Sequence, residues 1–310
     1  MKNGNAGKSI MALRKYHPLL LMMVPGFLYL LLNNYLPMMG IVIAFKNVDF
    51  AKGILGSDWS GFDNFRYLFQ TSDAWMITRN TLLYNSAFIL INLIVSVGLA
   101  LLLNEVKQRM MSRFYQSVVL LPYLISMVIV GYLAFSMFSM ETGLLNKTIL
   151  PWLGLDEVFW YNETKYWPAI LILVNTWKSA GYLCVIYLAA IIGIDKEYYE
   201  AATIDGAGKW QQIRSITLPQ IAPVIIIMTL LQIGRIFYSD FGLFFQVPMD
   251  SGALLPVTNV IDTYVYRGLI NMGDIGMSSA AGFYQSIVGF LLVFVSNFAV
   301  RKLSKENALF

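Results

Sequence analysis

Glu200 and Asp205 stand five residues apart in a polar segment, EYYEAATIDGAGKWQQIRSITLP at positions 197–219, of a chain that is otherwise strongly apolar. Their carboxylates offer charge to a partner's arginines or lysines, and Tyr198, Ala201, Ala202 and Ile204 make an apolar and small-residue surface that another protein's backbone can approach closely. This is docking chemistry rather than catalysis. A second kind of chemistry is distributed through the apolar runs. Asn175, Lys178 and Tyr182 share one helical face by their three- and four-residue spacing, as do Gln232, Arg235 and Ser239. Asn85, Asn92 and Ser96 form a third stripe, and Gln285 lies beside Phe283 and Tyr284. Amides and hydroxyls alternating with aromatic faces suit a hydroxyl-rich solute.

The elements that must position these residues are membrane helices. The chain has 310 residues, 57% hydrophobic and 13% charged, where a soluble domain carries about 25% charged residues. With a window of about 20 residues, apolar spans fall at 19–43, 82–103, 115–138, 168–193, 221–238 and 278–300. The first follows Lys2, Lys8, Arg14 and Lys15 but is long and has no small-residue cleavage site behind it, so it reads as an uncleaved first helix. Lys107, Arg109 and Arg113, then Lys196, Lys209 and Arg214, then Arg301, Lys302 and Lys305 share the side of the basic N-terminal tail. By the positive-inside rule that side, with both termini and the 195–219 loop, is cytoplasmic.

Within that loop Asp195 suits a helix N-cap, the run from 196 to 205 has no breaker, and Gly206 and Gly208 interrupt it before a second short helix at 209–216. Pro219 and Pro223 suit the opening of the next span. Lys178 lies about eleven residues past Trp167, which at about 1.5 Å per residue is near the midplane of a 30 Å core. Other roles compete with solute contact: Asn and Gln stripes join helices by hydrogen bonds, Arg235 can snorkel to the interface, and Lys178 can pair with a carboxylate. Asp240, Asp262, Tyr264 and Tyr266, in the last outer loop, are candidates for contact with the solute or its delivery protein, although interfacial belts also collect tyrosine.

Several chemistries are excluded or weakly supported. With Cys184 the single cysteine and His17 the single histidine, neither a disulfide framework nor a transition-metal site is expected. NGNAGKS at 3–9 ends like a phosphate-binding loop but has Lys2 where the first glycine is required, so nucleotide binding is expected on another chain. No Gly-x-Ser-x-Gly elbow occurs, and Asn162-Glu163-Thr164 is a glycosylation sequon too short to be specific.

The register Glu200, Ala201, Ala202, Asp205, Gly206, Ala207, Ile216, Leu218 and Pro219 resembles the EAA loop of binding-protein-dependent ABC importer permeases. WSGFDNFRYLF at 59–69 resembles the same family's W-x-G-x-x-N-F segment, and IDTYVYRGL and FYQSIVGF resemble the LplB-type branch of carbohydrate permeases, relatives of the maltose-transporter membrane subunits. Ile213 departs from the phenylalanine many relatives carry but keeps an apolar docking residue. The resemblance implies an all-α membrane protein of six transmembrane helices with the type I importer permease fold, one domain over 1–310 with a coupling loop at 195–219. It implies a second homologous permease, two copies of a cytoplasmic ATPase that carry the ATP and magnesium, an extracellular solute-binding protein anchored by lipid, and an oligosaccharide or glycan fragment as cargo. It places the protein in the cytoplasmic membrane of a Gram-positive bacterium, with no cofactor, metal or catalytic residue on this chain and no nucleic acid partner. A secondary transporter would instead need internal repeats and uptake driven by an ion gradient; a channel subunit would conduct without ATP.

Overall fold

The computed structural model describes the backbone of residues 4–303 and the side chains of residues 16–298 and 301. The side chains of the 3–9 stretch, Arg14, Lys15, Lys302 and Lys305 lie outside that range, as does Lys2. Among the described residues, five helices are long and apolar enough to cross a membrane, and a bent pair makes a sixth crossing if counted as one span. Helix α1 (Gly4–Leu30) continues through a π turn at Leu31–Tyr35 and a 3-10 segment at Met39–Phe45. A two-residue antiparallel pairing of β1 (Lys46–Asn47) with β2 (Asp58–Trp59) follows, then α2 (Asp63–Gln70) and the long α3 (Asp73–Asn104). The bent pair is α4 (Arg109–Leu124) and α5 (Met127–Phe138); α6 (Trp167–Ile192) comes next. The polar segment forms α7 (Lys196–Ile204) and α8 (Lys209–Gln212), which passes through a π turn at Ile213–Thr217 into α9 (Leu218–Ile233). Short helices α10 (Phe241–Gln246) and α11 (Ile261–Ile270) precede α12 (Ile275–Leu303).

Two spans differ from the sequence expectation. The one expected at 115–138 is not a straight helix: α4 and α5 meet at 95°. Pro122 sits in the last turn of α4, and Ile125 and Ser126 are extended, with ψ of 135° and 150°, so the backbone cannot carry the helix through. The span expected at 221–238 starts earlier and ends earlier, because the helix is continuous over Lys209–Ile233 and the chain then turns away at Gly234. Pro219 does not open a new helix but lies two residues past a π turn. Pro37 and Pro151 stand in the same relation to the π turns at Leu31–Tyr35 and Leu145–Ile149. A proline lacks the N–H and its ring presses on the carbonyl four residues back; a widened turn absorbs both defects and lets the helix continue.

Residues 16–39 are exposed, so this chain supplies no core for that length of the first span, whereas its end packs on the bundle with Ala44 fully buried. The bundle is built from the other spans. At the end bearing α7, Ala100 and Leu103 of α3 bury against Leu183, Cys184, Tyr187 and Ile191 of α6 and Ile221 of α9. At the opposite end Phe88, Val130, Trp167, Leu171 and Phe244 form a second core, and Leu68, Ile77, Phe237, Ile261 and Met277 a third. The W-x-G-x-x-N-F residues have a visible duty there. Gly61 takes a φ of +61°, and Asn64 donates to the carbonyls of Ala44 and Lys46 at 2.9 and 3.1 Å. Phe65 packs against Phe45 with tilted rings and edge-on against Phe283, so the motif fastens the end of the first span to α12.

Between helices in lipid there is little hydrophobic drive, so close backbone approach and van der Waals contact carry the association. Gly181 shows how close: a Cβ there would fall on the Val119 carbonyl, where α4 crosses α6. Gly181→Ala is expected to force these helices apart at a cost of about 1–3 kcal/mol. The check is the monodisperse yield on size-exclusion chromatography, expected to fall several-fold; wild-type yield would refute the tight crossing.

Candidate functional site

Both irregular spans break at comparable places, and each break is tied by the polar residues that the sequence places inside the spans. At the first, Ser126 caps α5 through the Ile129 N–H at 3.4 Å, and the last carbonyls of α4 run short of helical partners, that of Pro122 keeping only the Ile125 N–H at 3.3 Å. Lys178 of α6 takes them. Its ammonium donates to the carbonyls of Pro122 and Tyr123 at 3.3 and 3.2 Å and to that of Ile125. A cation at a helix C-terminus is also favoured by the aligned peptide dipoles. At the second break, Asn85 of α3 donates to the Ile236 carbonyl at 2.9 Å and to the Ser239 hydroxyl at 3.2 Å. Gln285 of α12 donates to the Phe237 carbonyl at 2.9 Å and to Asp262 Oδ2 at 3.1 Å, and Asp262 Oδ2 also accepts the Ser239 N–H at 2.8 Å.

The halves beyond the breaks lock together. A Cβ on Gly131 of α5 would lie 2.7 Å from the Gln246 carbonyl oxygen of α10, and one on Gly242 would lie 2.8 Å from Met127. The result is a cavity of about 530 Å³ bordered by Tyr123 from the first break and Tyr238 and Asp240 from the second. Asn85, Asn92, Asn175, Tyr182, Gln232 and Arg235 add to its polar and aromatic wall, with Ser179, Phe88 and aliphatic residues between them. Asn92 donates to Asn175 Oδ1 at 2.9 Å, joining α3 to α6, and the rings of Tyr123 and Tyr182 stack at 4.7 Å and 13°.

Of the seven candidates for contact with solute, the structure thus brings Asn175, Tyr182, Gln232 and Arg235 to one cavity. Lys178 faces the α4 carbonyls, Gln285 is buried at the second break, and Tyr284 bonds Thr78 at 3.0 Å while packing on Phe69 and Phe237. Of the outer-loop candidates Asp240 lines the cavity. Asp262 is held by Ser239 and Gln285, Tyr264 is buried with its hydroxyl on Met277 Sδ, and Tyr266 packs between Phe241 and Phe245. Tyr123, Ser179 and Tyr238 lie outside those candidates. The Leu-Pro-Tyr sequence at 121–123 inside an apolar run signals the first of them, because a proline there predicts a kink and the next residue is left at the bend.

The polar segment forms as its capping residues dictate. Asp195 Oδ1 accepts the Glu197 N–H at 3.0 Å and opens α7. Its other end is a Schellman turn, with the Gly206 N–H on the Thr203 carbonyl and the Ala207 N–H on the Ala202 carbonyl at 3.1 and 2.8 Å. That turn needs Gly206 at φ +80°. Gln212 then ties α8 back to Thr203 Oγ1 and the Ala207 carbonyl at 3.1 and 3.2 Å, and Tyr199 bonds Thr217 at 2.9 Å. The turn between α7 and α8 is therefore coupled directly to the helix that enters the membrane. Lys209 pairs with Glu105 at 3.1 Å, which sets α8 against the end of α3. Glu200, Ala201, Asp205 and Gly206 remain exposed, as do Ile204 and Trp210 at 87% and 73%, so two acids and two large apolar side chains project from one small platform.

The family described as the binding-protein-dependent transport system inner membrane component matches residues 92–305, from the middle of α3 through α12. The chain belongs to that family. Its members are permease subunits and not enzymes themselves, hydrolysis being the work of a separate ATPase subunit. The permease is 36% identical to protein LplB of Bacillus subtilis over 306 residues, covering 97% of this chain and 95% of that one. It is 37% identical over 289 residues to YteP of the same organism, a polygalacturonan/rhamnogalacturonan transport system permease, covering 93% and 89%. A chain in the crystal structure of a bacterial ABC transporter involved in the import of the acidic polysaccharide alginate superposes with a TM-score of 0.87 at 32% identity, covering 96% of this permease and 99% of that chain. The resemblance read from the EAA register is borne out, and so is the multi-pass membrane class.

Proposed function

We propose that this permease forms one half of the membrane channel of an ATP-driven importer for an oligosaccharide or glycan fragment, working by alternating access. The observation that carries this reading is the cavity at the two helix breaks, where amides, a stacked tyrosine pair and a cation meet without a metal or nucleophile being required. Support for the cargo comes from YteP and from the alginate importer, which is also known in complex with an alginate pentasaccharide-bound periplasmic protein.

The single domain spans 1–310, and 195–219 is its coupling loop. Glu200, Ala201, Ala202, Asp205, Gly206 and Ala207 contact a cytoplasmic ATPase, two copies of which bind ATP and magnesium. Asn175, Tyr182, Gln232 and Arg235 face the cargo. Lys178, Tyr284 and Gln285 keep the broken spans in shape, and Asp240, Asp262, Tyr264 and Tyr266 form and brace the outer mouth. A second homologous permease covers the exposed first span and closes the cavity. An extracellular, lipid-anchored solute-binding protein delivers cargo. Both termini are cytoplasmic, in the membrane of a bacterium that the Bacillus relatives suggest is Gram-positive.

ATP hydrolysis by the reconstituted complex, with its neighbouring permease and ATPase, tests this directly. Binding protein loaded with one class of oligosaccharide is expected to stimulate hydrolysis several-fold over unloaded protein. Solute flux that persists without ATP, or the failure of any ATPase to associate, would overturn the reading.

A further inference from the structure

Arg235 lines the cavity, and its guanidinium has no hydrogen-bond or ion-pair partner among the described residues. Its backbone is fixed by the break: its N–H donates to the Gln232 carbonyl at 3.0 Å and its own carbonyl accepts from Tyr238 at 2.9 Å. The other charges nearby are committed. Lys178 is turned to the carbonyls of α4, and Asp262 to Ser239 and Gln285. Asp240, the only carboxylate lining the cavity among the described residues, caps α10 through the Leu243 N–H at 3.1 Å and makes no ion pair with Arg235.

A guanidinium at the wall of a site that loses water on closing is costly unless an anion meets it, because five donors would be desolvated unpaired. Neutral sugars offer Arg235 only hydroxyls, whereas a planar carboxylate matches its fork in two parallel hydrogen bonds. Asp240 keeps a free oxygen that can accept sugar hydroxyls but would repel a carboxylate, so charge also sets orientation. Building on the importer reading, we propose that Arg235 is the specificity-determining residue for a carboxylate-bearing oligosaccharide. The carboxylate of one uronate ring sits on Arg235, with the ring beside the Tyr123–Tyr182 stack and its hydroxyls toward Asp240 and the Asn92–Asn175 pair.

The test is direct binding of trigalacturonate, and of the same trisaccharide with its carboxyls reduced to alcohols, to the assembled importer in nanodiscs with no solute-binding protein present. The wild type is expected to prefer the charged sugar by about tenfold or more, and Arg235→Gln to bring the two within about twofold. Arg235→Lys, keeping the charge without the fork, is expected to fall between. Equal binding of both sugars by the wild type, or an undiminished preference in Arg235→Gln, would overturn the inference while leaving a neutral-oligosaccharide importer intact. Failure of Arg235→Gln to assemble with the second permease would also overturn it, assigning the guanidinium to the subunit interface. If neither trisaccharide binds and no loaded binding protein stimulates ATP hydrolysis, the carbohydrate reading falls with it.

Discussion

Lys178→Met is expected to unfold the third span locally and to abolish transport. The substitution keeps the length and packing of the side chain but leaves the carbonyls of Pro122, Tyr123 and Ile125 without their donor. A carbonyl stranded away from water costs about 1–3 kcal/mol; that of Pro122 keeps the Ile125 N–H and that of Tyr123 is exposed, so the Ile125 carbonyl sets an expected loss of about 1–3 kcal/mol. Lys178→Gln, which can still donate two hydrogen bonds, is expected to recover part of it. Cys184 provides the readout, being the only cysteine and fully buried. In complexes whose partner subunits lack cysteine, a thiol-reactive dye reports the temperature at which the bundle opens. A marked drop for methionine and a smaller one for glutamine would match the capping role. An unchanged opening temperature together with a raised KM for transport would instead make Lys178 a solute contact.

The same residue marks where the sequence is legible and where it is not. Hydropathy finds the spans, because twenty apolar residues have few alternatives to crossing a bilayer. Spacing also places Asn175 and Tyr182 on a common face, and both line the cavity. Direction along that face does not say what the side chain meets. Lys178 shares the stripe yet serves carbonyls at a bend 53 to 56 residues earlier in the chain, and Gln285 serves a turn at Phe237. Pairings of this kind depend on which spans are neighbours, which no local pattern encodes. The bend itself is signalled by Pro122, but its 95° also needs the extended Ile125 and Ser126, and these have no helix-breaking composition. Conversely, Pro219 looks like a boundary and is not one, since the π turn before it absorbs the missing N–H. The coupling segment is the most legible part because its structure is local: Asp195 caps it, Gly206 ends it, and both contacts lie within a few residues.

That locality makes the segment open to a separable test. Ile204 is 87% exposed on this chain, so Ile204→Asp should change its folding by no more than about 0.5 kcal/mol. If Ile204 is the apolar knob seated in the ATPase, beside Glu200 one turn earlier, a carboxylate there must be desolvated at the interface or the contact given up. Transport is expected to fall by at least about tenfold, the equivalent of 1.4 kcal/mol of lost coupling. Gly206→Val acts on the other half of the problem. It places a β-branched residue at φ +80°, a conformation that costs about 1–2 kcal/mol for a residue with a Cβ, and so loosens the Schellman turn that carries Ala207 to Gln212. The expected signature is ATP hydrolysis that continues but no longer responds to loaded binding protein, because the ATPase still turns over while its movement fails to reach Thr217 and α9. Ile204→Asp should weaken association with the ATPase, and Gly206→Val should leave association and remove the response. Wild-type transport in both variants would mean that this platform is not where the ATPase acts.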